Sequence, residues 1–270
     1  MLNQYSGRVA VITGAANGLG RALATELAGR KCHLALVDID DVGLERVREK
    51  LVPSGVKVTV HCADVGSEPA MRAAADEIER SHANVHLVIN NAAVSASVPF
   101  AAMAGAEFER VLRVSFYGVV YGCRAFLPFL LKHARGQILN VASCFAWLGY
   151  PNKTAYAASK GAVRSFSESL RLELAESGVG VTLLYPGPLN TALVRNGICD
   201  SESRRNREQQ FLITRGLPLE RVARRCLDRL LANPSRIVLG RDYLLLDAMA
   251  RLSPRMGARA MALVAARAGF

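Results

Sequence analysis

No two of the six cysteines (Cys32, Cys62, Cys123, Cys144, Cys199 and Cys226) stand as CxxC or at any other metal-ligand spacing. That pattern excludes a zinc ribbon or a disulfide framework and reads as reduced thiols in a cytoplasmic protein. The five histidines form no HExxH-like cluster, so no metal is expected. No run of about 18 uncharged apolar residues occurs; the best candidate, Ala125 to Leu131, is too short and contains Pro128, so no membrane-spanning helix is expected. Met1 to Arg8 is polar and runs directly into an apolar strand pattern, with no charged-then-apolar leader. Internal repeats and low-complexity linkers are also missing, which points to one continuous domain over residues 1–270.

What is present is apolar and basic. Hydrophobic residues make up 51% of the chain, enough for a substantial core and against disorder. The net charge is +11, and most of the excess lies late. From Pro186 to Phe270 there are 15 Arg, no Lys and 7 acidic residues, a net of +8. A basic surface can attract nucleic acid, acidic lipid or an anionic substrate, but no nucleic-acid-binding motif accompanies it, and a solvated arginine-rich surface is favoured.

Short β-rich runs alternate with helical patterns. Strands are expected at 9–13, 33–38, 57–62, 85–90, 137–142, 180–185 and 236–239, with helices between them. The pattern gives helices over residues 68–80 and 156–176, and a long one over 108–131 that ends after Pro128 or kinks near it. Strand–helix alternation of this kind implies a doubly wound α/β fold, with a mainly parallel seven-stranded sheet covered by helices on both faces. Ligands in such folds bind beyond the carboxyl ends of the strands.

The motifs fall there. The first strand runs into Thr13-Gly14-Ala15-Ala16-Asn17-Gly18-Leu19-Gly20 and then a helix. Glycines permit a tight turn and close backbone approach to a pyrophosphate, while the helix start offers free N–H groups. Gly14, Asn17, Gly18, Leu19 and Gly20 are therefore candidate dinucleotide-binding residues; an ordinary turn is the plainer alternative. Asp38 closes the second strand 18 residues past Gly20. Its carboxylate can accept ribose hydroxyls and repels a 2′-phosphate, which favours NAD over NADP. Tyr156 and Lys160, four apart on a helix, share a face, and a nearby ammonium lowers a phenol's pKa. Ser143, 13 residues earlier at the end of the fifth strand, offers a hydroxyl to a reacting oxygen.

Together, TGAANGLG, Asp64-Val65, Asn90-Asn91-Ala92-Ala93, Ser143, YAASK and Pro186-Gly187 closely resemble the short-chain dehydrogenase/reductase family, in its order and spacing, over roughly residues 6–192. The resemblance implies a Rossmann-type fold and an oxidoreductase that moves a hydride between NAD(H) and a secondary alcohol or ketone. It implies that Asp64 binds the adenine amino group with the Val65 backbone beside it, and that Asn90 and Ala92 line the cofactor. Tyr156 would be the acid/base, with Lys160 holding the nicotinamide ribose and lowering the tyrosine pKa. Ser143 would orient the substrate carbonyl, while Pro186, Gly187, Leu189 and Thr191 would embrace the nicotinamide.

Two departures from the family pattern stand out. Where the family carries Asn in the helix after the fourth strand, this chain has Ser115, which is shorter and only partly able to hold the water that leads from the lysine to solvent. Ser115 therefore joins the catalytic candidates with a reservation. The alternative that follows is a catalytically impaired dinucleotide-binding sensor or interaction protein. Beyond the seventh strand, a C-terminal extension over 242–270 replaces the family's usual ending. Its Leu252, Met256, Met261, Leu263 and Val264, with Arg255 and Arg259, fit a helix packed on the body or a subunit, or a basic segment on an acidic membrane. A homodimer or homotetramer is expected. Phe145, Trp147, Leu148, Tyr150, Leu189, Leu193 and Val194 suggest an apolar substrate under a lid at about 188–215, whose Arg204, Arg205 and Arg207 read as solvated.

Overall fold

The computed structural model describes residues 2–132 and 136–267. Met1, residues 133–135 and residues 268–270, the last part of the expected C-terminal extension, lie outside that description, as does the side chain of Val264. In chain order the elements are β1 (Val9–Thr13), α1 (Gly18–Gly29), β2 (His33–Asp38), α2 (Asp41–Leu51), β3 (Val58–Cys62), α3 (Glu68–His82), β4 (Leu87–Asn90), β5 (Ala96–Ser97), α4 (Gly105–Leu112) and α5 (Gly118–Lys132). They continue as β6 (Gly136–Val141), α6 (Thr154–Glu173), β7 (Val179–Tyr185), α7 (Ala192–Arg195), β8 (Ile198–Cys199), α8 (Glu202–Arg215), α9 (Leu219–Leu230), β9 (Arg236–Val238), α10 (Arg241–Leu252) and α11 (Pro254–Arg267).

Seven strands form one parallel sheet in the order β3-β2-β1-β4-β6-β7-β9. The period-two alternation of strand side chains divides the core between its two faces. Ala10, Ile12, Leu34, Leu36 and Ile89 face α1, α2 and α9, whose Leu23, Leu27, Leu44, Val47 and Leu227 cover them. Val11, Ala35, Val37, Val88 and Ile138 face α3, α5 and α6, covered by Met71, Ile78, Phe126, Leu130 and Val163. Burying both faces is why the strands read as near-continuous apolar runs. Strand order reverses between β1 and β4, so the loops leaving them diverge and open a crevice at the carboxyl edge.

The helix expected over 108–131 is built differently. It is two α-helices joined by one wider turn at Arg113–Tyr117, and Pro128 lies inside α5 without ending it. A wide turn is a helix defect that commonly marks a functional site; here it carries Ser115. The expectation that no segment could cross a membrane also needs correction. Gly105–Lys132 is long and apolar enough by length and composition, because the wide turn leaves the two helices continuous. Its inner face, however, puts Val119, Cys123, Phe126 and Leu130 in the core against the sheet.

The C-terminal extension packs on the body. Arg236 and Asp247 pair at 2.8 Å, with Asp247 buried, and Met261 of α11 is also buried. Ala258 and Ala262 of α11 close a cavity of about 280 Å³ against Trp147, Leu148, Tyr150 and Pro151. Leu244, Leu245, Leu252, Met256 and Leu263 remain on its outer surface.

Beneath the carboxyl edge, Asn90 and Asn140 meet at 2.9 Å, and Asn140 continues to Ser167 at 2.8 Å. Gly122 of α5 makes room for this network: a Cβ there would lie 2.1 Å from Asn90 Oδ1. Gly122→Ala should therefore cost about 1–3 kcal/mol by overpacking, read as a lower urea midpoint with an unchanged denaturant slope.

Candidate active site

The phosphate loop is shaped by backbone crowding. Gly14 and Gly18 have φ of +66° and +55°, in the left-handed region that favours glycine. A Cβ on Gly14 would sit 2.8 Å from the Cα of Ala92, and one on Gly20 would sit 2.1 Å from the Gly14 carbonyl oxygen. The helix start is thereby drawn against the strand end. Asn17 precedes α1 without a side-chain cap, and no acidic residue occupies the first turn, so nothing anionic from the chain competes for those N–H groups. Leu19 is buried and packs the helix down.

Asp38 tightens the same loop. Its Oδ2 accepts the Ala16 N–H at 2.9 Å and its Oδ1 accepts the Asp40 N–H at 3.1 Å. Asp64, half-buried, accepts the Gly66 N–H at 2.8 Å, while Val65 is buried against Gly118. Thr191, on the loop after β7, lies over the phosphate loop, 3.3 Å from where a Gly18 Cβ would be. Leu189 on that loop is bridged to Leu217, and Gly187 is packed against Leu217 and the Leu239 carbonyl.

Not every expected side chain faces the crevice. The Asn90 side chain is turned into the core, where its Nδ2 donates to Asn140, which leaves its backbone to face the crevice. Successive strand residues point to opposite faces, and the next residue, Asn91, points to the crossing of β1 and β4. Asn91 Nδ2 donates to the Thr13 and Gly14 carbonyls at 3.0 and 3.1 Å. Thr13 Oγ1 accepts the N–H groups of Asn91 and Ala92 at 3.0 and 3.2 Å.

Ser143, Tyr156 and Lys160 come together. Ser143 stands just past the end of β6, before a single tight turn, where its hydroxyl accepts the Phe145 N–H at 3.4 Å and acts on Tyr156 to lower its pKa. Lys160 Nζ lies 5.7 Å from the Tyr156 ring centroid and donates to the Val141 carbonyl at 2.8 Å. Tyr156 and Lys160 are both buried. Burial pushes the tyrosine pKa up, the nearby Cys144 thiol pushes the same way, and the Ser143 hydroxyl only partly opposes them. Burial also pulls the lysine down, to about 8. Loss of solvent is thus the largest influence on both side chains.

Ser115 is fully buried and binds one residue twice. Its hydroxyl donates to the Val94 carbonyl at 3.0 Å and accepts the Val94 N–H at 2.9 Å. It thus pins the loop after β4 to the wide helical turn.

The surroundings of Tyr156 are apolar. Phe145 meets it edge-on at 6.1 Å, and Ala96, Val94, Met103, Phe108, Leu193 and Ile198 complete the cluster. Five of these, Ala96, Val94, Met103, Phe108 and Ile198, were not anticipated, because they reach the site through the tertiary fold. Trp147 packs on Tyr185 with the rings tilted by 39° and their centroids 4.4 Å apart, and it lines the cavity under α11. Of the lid arginines, Arg204 pairs with Asp200 at 2.7 Å, and Arg205 binds the carbonyls of Arg195 and Gly197.

This geometry agrees with comparison to known proteins. A family model described as short chain dehydrogenase matches residues 8–200. The chain belongs to the short-chain dehydrogenase/reductase family. A protein of Mycobacterium tuberculosis named oxidoreductase SadH is 35% identical over 271 aligned positions, spanning 98% of this chain and 96% of its own. A short chain dehydrogenase/reductase from Burkholderia phymatum, solved in complex with NAD, superposes with a TM-score of 0.86 at 30% identity, over 93% of this chain and 94% of its own. A metagenomic short-chain oxidoreductase, solved with NADP, gives a TM-score of 0.72 at 26% identity, over 87% and 97%. This short-chain dehydrogenase is thus a nucleotide-binding oxidoreductase of the Rossmann type, and its cofactor is a nicotinamide dinucleotide. The glycine cradle that a Cβ would fill and the uncapped start of α1 fit such a group.

A buried ammonium whose pKa has fallen to about 8 is a stability burden. Below pH 8, Lys160 is charged in both folded and unfolded chains, and the full penalty applies. Between pH 8 and the ordinary lysine value the folded chain holds fewer protons, so stability rises with pH. Lys160→Met should therefore stabilise the ligand-free protein by about 3 kcal/mol below pH 8, and urea titrations should show that gap closing as pH climbs towards 10.5.

Proposed function

We propose that this oxidoreductase interconverts a secondary alcohol and a ketone on a largely apolar substrate, with NAD as its cofactor. The observation that supports the reading is the gathering of Ser143, Tyr156 and Lys160 at the carboxyl edge, with Tyr156 and Lys160 buried and the Lys160 Nζ 5.7 Å from the tyrosine ring centroid. When bound, the nicotinamide would carry the hydride. The chain's own part is proton handling and positioning. Ser143 holds the reacting oxygen next to the Tyr156 hydroxyl. Tyr156 gives a proton to that oxygen when a ketone is reduced and takes it back when an alcohol is oxidised.

The raised tyrosine pKa keeps the phenol protonated in the ligand-free site, the form needed to donate to a carbonyl. Oxidation needs the phenolate, and a positive charge arriving beside the ring would favour it. Gly14, Gly18, Leu19 and Gly20 would hold the pyrophosphate, Asp64 and Val65 the adenine, and Pro186, Gly187, Leu189 and Thr191 the nicotinamide end. NAD is favoured by charge. Asp38 is followed by Ile39, Asp40 and Asp41, an acidic corner unsuited to a 2′-phosphate. An apolar substrate follows from Phe145, Leu193, Ile198 and Val94 around Tyr156.

The reading of an impaired sensor is not favoured. The family model that matches and the relative SadH are named as a dehydrogenase and an oxidoreductase, which supports turnover over mere binding.

Two measurements test the proposal. In a panel of cyclohexanol, 2-octanol and 1-phenylethanol with NAD, Tyr156→Phe should lower kcat by roughly 10³. NADH binding, followed by energy transfer from Trp147, should stay within about threefold, because uncharged ring packing is unchanged. Undiminished turnover in Tyr156→Phe would remove the tyrosine from the chemistry. Separately, Asp38→Asn keeps an acceptor for the Ala16 N–H and removes the charge. The preference for NADH over NADPH should fall by about tenfold or more, since one repulsive contact of this size is worth at least ~1.4 kcal/mol. Wild-type preference for NADPH would overturn the cofactor assignment.

A further inference from the structure

Helix α8 lacks the usual means of attachment. None of its residues is buried; Phe211 and Ile213 are exposed and Leu212 is only half-buried. A helix with so weak an apolar anchor sits at the low end of local stability. Charged groups hold it instead: Arg205 binds the carbonyls of Arg195 and Gly197, and the Glu208 side chain is only 10% exposed.

Glu208 reaches a buried polar knot. Its Oε2 accepts from Lys153 Nζ at 2.8 Å and from Ser97 Oγ at 2.9 Å. Lys153 also donates to Ser97 Oγ, and both residues are buried. The second carboxylate oxygen, Glu208 Oε1, is equally buried and has no hydrogen-bond partner among the described residues. Lys153 stands immediately before α6, three residues from Tyr156, and its carbonyl accepts the Ala157 N–H at 2.7 Å. Ser97 lies on β5, which pairs with β8 of the lid through Ala96–Ile198 and Ser97–Cys199. The same ribbon places Ala96 and Ile198 against Tyr156.

We propose that Lys153 and Glu208, seated on Ser97, are a positioning pair that latches α8 and the β5–β8 ribbon over Tyr156 and so sets the size of the substrate pocket. The proposal rests on the reading of Tyr156 as the acid/base residue. The latch acts on substrate capture rather than on the chemical step. It holds apolar walls at the ring, and it touches neither the phosphate loop nor Lys160. A charged latch with so weak an apolar anchor opens into water at low cost, because both charges can be solvated there. The lid can then release product and close again.

Glu208→Gln and Lys153→Met each leave one charge buried alone, and the lid should spend more time open. With a turned-over alcohol from the panel, KM should rise by about tenfold while kcat stays within about twofold. NADH binding should be unchanged. Lys153→Arg, which keeps the charge, should restore a KM near that of the wild type. A second readout needs no substrate: trypsin cleavage at Arg204, Arg205, Arg207 and Arg215 in the presence of NADH should be about tenfold faster in both variants. Wild-type cleavage and wild-type KM in Glu208→Gln would overturn the latch, as would an equal fall in kcat and kcat/KM. If Glu208→Gln loses NADH binding altogether, Ser97→Ala carries the test, because it leaves both charges in place; an unchanged cleavage rate there overturns the latch too. Should no alcohol be turned over, the reading of Tyr156 fails on its own terms, while the cleavage rates still judge the latch.

Discussion

At the point where strand order reverses, β1 and β4 run side by side and then send their loops apart, and a small polar clamp holds the parting in place. Thr13 Oγ1 takes the N–H groups of Asn91 and Ala92, and Asn91 returns two hydrogen bonds to the Thr13 and Gly14 carbonyls. Backbone groups leaving a sheet have lost their ladder partners and must find others if they are buried. The clamp supplies them. It also fixes Gly14 against Ala92, which shapes the phosphate loop on one side. On the other side it sets the course of the chain to Val94, held by Ser115, and on to the ribbon at Ala96–Ser97. Cofactor side and substrate side thus hang from one crossing.

Tyr156 and Lys160 show how strongly burial acts at this edge of the sheet. Burial disfavours whichever form carries the charge. With both side chains buried, it raises one pKa and lowers the other. The site is costly in the ligand-free protein, as active sites commonly are.

The sequence reading and the structure agree where physics is local or periodic. All seven strands of the main sheet lie within a residue or two of their expected positions, because strands buried on both faces announce themselves as apolar runs. Ser143, Tyr156 and Lys160 were found through spacing along the chain, and the fold gathers them. That the Asn90 side chain turns inward to Asn140 while Asn91 ties β1 to β4 follows only from the alternation of faces along a strand. The wide turn at Arg113–Tyr117 has no composition signal of its own. Lys153, Ser97 and Glu208 were invisible for another reason: the contacts join residues 55 and 111 apart in the chain, and a lone Lys or Glu in a helix reads as solvated surface.

The way α8 is attached divides the molecule into parts that can change separately. The loop after β1 is locked by crowded backbone, where a Cβ on Gly14 or Gly20 would meet an atom within 3 Å. The lid is joined by a two-residue ribbon, a few charges and exposed apolar side chains that nothing in the core depends on. Over evolutionary time, residues of this segment are therefore free to drift, while the crowded loop at the strand ends stays as it is.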